Sequence, residues 1–97
     1  MAPRTNNLYG KINITKRAIK NVVLIASKES YGIASVLDAK VKCEGNYIGV
    51  SVRLWLKFGV TIDPTIENAR RAIKYNVENF TGMTVEHVDI DVLGIQN

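Results

Sequence analysis

The chain has 97 residues, 46% apolar and 23% charged, with 13 Lys and Arg against 9 Asp and Glu for a net charge of +4. This is the composition of one ordinary globular domain, large enough to bury a core without covalent staples. The single Cys43 excludes an internal disulfide and a Cys-based zinc site and points to a reducing cytoplasm. No apolar run approaches the roughly 20 residues of a membrane span, and the mild basic excess leaves nucleic acid and anionic lipid open without favouring either.

Residues 1–7, MAPRTNN, have no apolar centre like that of a signal peptide and are expected to form a flexible polar tail, with one domain over 8–97. A first strand places Leu8, Gly10, Ile12 and Ile14 on one face and Tyr9, Lys11 and Asn13 on the other. Thr15 then caps a helix to about Ser30, closed by Gly32, with Ala18, Ile19, Val22, Val23 and Ala26 as its apolar stripe. Leu24 falls with Arg17, Lys20, Asn21 and Lys28 on the wet side. A single exposed leucine is unremarkable, although a partner contact there is the sharper reading.

The second strand, about Ile33 to Cys43, puts Ile33, Leu37, Ala39, Val41 and Cys43 inward and Asp38, Lys40 and Lys42 outward. Glu44-Gly45-Asn46 is a hairpin connection. The third strand, expected to be the longest, has Ile48, Val50, Val52, Leu54, Leu56 and Phe58 facing in. Tyr47, Ser51, Arg53, Trp55 and Lys57 face out. In the second helix Asp63 is the expected N-cap and Pro64 the first helical residue. Its buried stripe is Ile66, Ala69, Ile73, Val77 and Phe80, with Glu67–Arg71 and Lys74–Glu78 as i, i+4 pairs. Gly82 ends it, and a last strand alternates through Val88, Asp89, Ile90, Asp91 and Val92.

The expected fold is α+β, a two-layer βαββαβ sandwich with one four-stranded sheet and two helices on one face. The connectivity matches the split-βαβ, ferredoxin-like arrangement.

His87, Asp89 and Asp91 are the one cluster with ligand chemistry. Alternate strand residues stand about 6.6 Å apart, too far to converge on an ion held at about 2 Å, so a solvated face is the better reading. Cys43 and His87 fall on opposite sides of the sheet, which leaves no nucleophile with a base, and no glycine cluster resembles a phosphate loop. No catalytic residue, metal or cofactor is expected.

The bare face of the sheet would carry Tyr9, Lys11, Lys40, Lys42, Arg53, Trp55, Lys57 and His87, which invites comparison with RNA-recognition domains. The third strand lacks that module's glycine and aromatic signature, and Asp38, Asp89 and Asp91 would repel phosphate. Trp55 suits packing or a protein interface better. Arg70, Arg71 and Lys74 form a basic run on the second helix, usually a solvated face but suited to an acidic partner or a membrane surface.

GKINIT (10–15), ASKESYGI (26–33), LKFGVTI (56–62) and FTGMTVEHVDIDVLGI (80–95) occur in order. Together they resemble the alkaline shock protein family of Gram-positive bacteria, small cytoplasmic proteins linked to cell-envelope stress. The resemblance implies a non-enzymatic protein acting through self-association and protein partners, some of them membrane-anchored, which would recruit it to the membrane. A related branch is linked to control of acetyl-CoA carboxylase and so to lipid homeostasis. No catalytic residues carry over. The chain has almost nothing after Ile95, where many members have polar tails, so tail-dependent contacts are not expected. The alternative is a nucleic-acid-binding module using the open sheet face.

Overall fold

Helix α1 (Lys16–Glu29) begins where its cap dictates: Thr15 is extended, and its Oγ1 accepts a hydrogen bond from the Ala18 amide at 3.1 Å. The structure, a computed structural model, describes residues 15–97. The expected tail and first strand, with Tyr9 and Lys11, lie outside them. Ile19, Val23, Ala26 and Ser27 are the buried face of α1, and the Ser27 hydroxyl is satisfied by the Val23 carbonyl at 2.7 Å. Ser30 rather than Gly32 is the C-cap.

Strand β1 (Ile33–Glu44) turns through Gly45 and Asn46 into the antiparallel β2 (Tyr47–Lys57), with Glu44 opposite Tyr47. Helix α2 (Ile62–Thr81) then crosses over to β3 (Thr84–Gln96), which lies parallel to β2. Among the described residues the sheet has three strands in the order β1-β2-β3. A split βαβ unit would place another strand between β2 and β3, but these two are directly hydrogen-bonded, so the ferredoxin-like order does not hold. At 13 residues β3, not the 11-residue β2, is the longest strand.

Both helices cover one face. Ile48, Val50, Val52, Leu54 and Leu56 of the central β2 are fully buried beneath Ile19 and Val23 of α1 and Ala69, Ile73 and Val77 of α2, in one continuous core. β-Branched residues suit these positions because they pack on a pleated surface.

Four side chains depart from strict periodicity. Register shifts between Ile33 and Ser35 and between Val36 and Asp38 each insert a residue, so Val36 takes the core side and Leu37 is 52% exposed. Phe58 lies one residue past the end of β2 and is 75% exposed; Phe80, in the last turn of α2, is 45% exposed. Ile66 is only half buried, and Thr65 takes its place in the core.

Helix α2 also starts earlier than its composition suggests. Thr61 is the N-cap, without a side-chain hydrogen bond, and Pro64 stands third. Proline is still tolerated there, since the first four helical amides have no intrahelical acceptor. At the other end Gly82 adopts φ 73°, the left-handed cap that its position predicts.

Candidate interaction surface

The register sorts the open face of the sheet into rows. Asp38, Arg53 and Asp91 form one, Lys40, Ser51 and Asp89 the next, and Lys42, Gly49 and His87 a third. Within the first row Arg53 donates from Nε to Asp38 Oδ1 at 3.0 Å and from Nη2 to Oδ2 at 2.5 Å. This fork holds the Asp38 carboxyl below its usual range, helped by the Arg53, Lys40 and Lys20 charges and opposed by burial. The hydrogen bond with Asp38 likewise keeps Arg53 more firmly protonated.

Two glycines make room for the large rings. A Cβ on Gly49 would stand 2.7 Å from the His87 imidazole, so that ring occupies the space a side chain would need. The indole of Trp55 runs beside Gly94, its Cδ1 3.6 Å from where a Cβ would sit. Trp55 is therefore half buried, not free-standing. Ser35 donates to Gln96 Oε1 at 3.0 Å, tying the outer strands together. Lys40, Lys42 and Lys57 are exposed, and Lys42 approaches Glu44 at 3.8 Å.

His87 Nε2 is 3.9 Å from Asp89 Oδ2, but among the described residues no three His, Cys, Asp or Glu side chains are placed to hold one metal ion. Cys43 pairs with Ile48 on the core side, across the sheet from His87.

The basic run on α2 is divided by the fold. Arg70 Nε donates to the Val88 carbonyl at 3.1 Å and pairs with Glu67. Lys74 Nζ donates to the Val85 carbonyl at 3.3 Å and lies 3.5 Å from Glu78, whose Oε2 accepts the Val85 amide at 2.9 Å. The Lys74–Glu78 pair thus satisfies both peptide groups of Val85 as a neighbouring strand would. Arg71, the expected partner of Glu67, is exposed instead. Leu24 is not a surface anomaly either, since it is half buried against the core, while Ile25 beside it is exposed.

Two features of the surface are absent from the sequence reading. Backbone hydrogen bonds join Lys57 to Gly32 (2.8 Å) and Phe58 to Gln96 (2.9 Å), so Tyr31, Phe58 and Ile95 gather at one end of the sheet. They are 76%, 75% and 48% exposed. The other is a recess between α1 and β1, lined by Lys16, Arg17, Lys20, Ala39, Lys40 and Val41. Three cations within five residues of a helix start were its available signal.

The family model for alkaline shock protein 23, whose description is a cell envelope-related function, matches residues 36–97. The chain belongs to this family. Its function is accordingly cell envelope-related, and the motifs at 56–62 and 80–95 lie within the match. The matched part of this alkaline shock protein runs from within β1 through β3. YloU of Bacillus subtilis (strain 168), itself uncharacterized, is 24% identical over 108 residues, covering 91% of this chain and 90% of that one. Among solved structures, the MamM-CTD fragment 215–293 matches with a TM-score of 0.59 and 15% identity over 80% of this chain and 96% of that one. A variant of the same domain gives 0.60 at 15% identity, over 80% and 95%. At that identity the likeness is one of fold alone. Among the described residues no helix is long and apolar enough to cross a membrane.

Proposed function

We propose that this alkaline shock protein is a non-enzymatic cytoplasmic interaction protein that serves the cell envelope by self-association and by binding a protein partner. The observation that carries this reading is the apolar end of the sheet. Tyr31, Phe58 and Ile95 are large and exposed, and the chain segments that carry them are hydrogen-bonded neighbours at one end of the sheet. Grouped exposed apolar side chains mark contact surfaces, because their burial releases water that single scattered ones would not. Phe58 bears most on this, since Ile48, Val50, Val52, Leu54 and Leu56 before it in the alternation are all inside the core and it lies past the strand end.

The open face supports a protein contact better than a nucleic-acid contact. Arg53 is engaged by Asp38, and Asp89 and Asp91 stand among the cations, where phosphate would be repelled.

Light scattering across a concentration series tests the reading. The wild-type chain is expected to associate, and Phe58→Ser to shift the equilibrium toward monomer by about tenfold or more, as loss of one buried aromatic anchor does. A wild-type chain monomeric at every concentration, which also captures no protein from its parent cell, would refute it.

A further inference from the structure

The recess between α1 and β1 has no role in the reading above. It has a volume of about 320 Å³ and is lined by Lys16, Arg17 and Lys20 of α1 and by Ala39, Lys40 and Val41 along the β1 edge. No carboxylate lines it. Among the described residues none of these four cations has an ion-pair partner, as is also true of Lys28, Lys57 and Arg71, whereas Lys42, Arg53, Arg70 and Lys74 each have one. Asp38 is near enough to feel Lys40 and Lys20, but both of its oxygens are taken by Arg53.

Local energetics do not account for the cluster. Lys16 and Lys20 are an i, i+4 pair of like charge, which weakens a helix. The first turn of α1 contains no acidic residue, although acids are favoured there and cations are not. Where a sequence breaks its local rules on several counts at one place, a function at that place is the usual reason.

We infer that this recess binds a phosphate-type oxyanion, either free or as a phosphate ester. Four cations around one recess match a tetrahedral group with more than one negative charge and several acceptor oxygens better than a single carboxylate. Arg17 supplies a planar fork for two of those oxygens, and the lysines supply point charges that adjust to the others. The Ala39 and Val41 floor is small and apolar. The space exceeds that of a phosphate group several-fold, given about 30 Å³ for each water displaced, so an esterified organic portion fits beside it.

The test uses the full chain with two probes: inorganic phosphate followed by calorimetry, and vesicles of phosphatidylglycerol against vesicles of phosphatidylcholine followed by flotation. The wild-type chain is expected to bind one of the anionic probes, more weakly as salt rises. The Lys20→Gln/Lys40→Gln double variant is expected to weaken that binding by about tenfold or more, with Lys28→Gln as an unchanged control. Arg17→Gln, checked by its thermal melt, repeats the test should the double variant fail to fold. Binding to phosphate alone identifies a soluble phosphate ester, and binding to phosphatidylglycerol vesicles alone identifies a lipid headgroup. The inference is overturned if neither probe binds, or if the variants bind as the wild type does. It is also overturned if the variants change only self-association, which would make the recess a seat for acidic groups of a second copy. Loss of association in Phe58→Ser is read separately, so either proposal can fail alone.

Discussion

Asp38 and Arg53 face each other across β1 and β2, with both carboxylate oxygens engaged by the guanidinium Nε and Nη2. Because the folded state lowers the Asp38 pKa, ionised Asp38 favours folding above its ordinary value of 3.8. That contribution fades as pH falls through the lower folded value. Asp38→Asn is therefore expected to lose less stability than the wild type between pH 7 and pH 3, as measured by urea denaturation. Equal losses would show that the fork is electrostatically idle, as many exposed pairs are, and added salt should narrow the difference. Unbroken register from the Glu44–Tyr47 turn places Asp38 opposite Arg53, and only beyond that pair do two bulges in β1 displace what simple alternation assigns. The same bulges turn Leu37 outward. The Thr15 cap and the Gly82 stop, by contrast, were legible, since each acts through its own backbone and needs no distant partner.

At the scale of elements, α2 does more than cover the sheet. Its Arg70, Lys74 and Glu78 reach peptide groups of β3 and stand in for a strand that would otherwise pair there. Glu78→Ala removes the acceptor of the Val85 amide and releases Lys74. It is expected to cost about 1 kcal/mol and to speed hydrogen exchange at Val85, while Arg71→Ala stays within about 0.5 kcal/mol. Unaltered exchange at Val85 would show that water replaces the carboxylate at no cost. From the sequence these residues read as helix-surface pairs and a basic run, because charge spacing shows which helix face they share but not what lies beneath it. Five described elements were readable from periodicity and the β1–β2 hairpin from its turn, yet the pairing of β2 with β3 was not. Alternation in β3 looks the same whichever strand it adjoins.

The described residues form an elongated body, 46 × 22 × 19 Å, with its core strung along β2. Leu54 sits fully buried in the middle of that strand, so Leu54→Ala is expected to lower stability by about 2–5 kcal/mol in urea unfolding. A loss below about 1 kcal/mol would mean that the core collapses around the cavity. Phe58 and Phe80 mark the limits of the core, for the apolar pattern continues past the point where the opposite layer ends. No count of apolar residues reveals where that coverage stops. The strand order carries a kinetic consequence. β1 and β2 meet at Glu44 and Tyr47, across two residues, whereas β2 and β3 meet at Tyr47 and Thr84, across the whole of α2. Local hairpins close quickly, and pairings about 40 positions apart close late. Between the two events β2 has one side paired and the other bare, a template for any extended chain it meets. Refolding yield should thus fall as protein concentration rises, until β3 arrives to occupy that side.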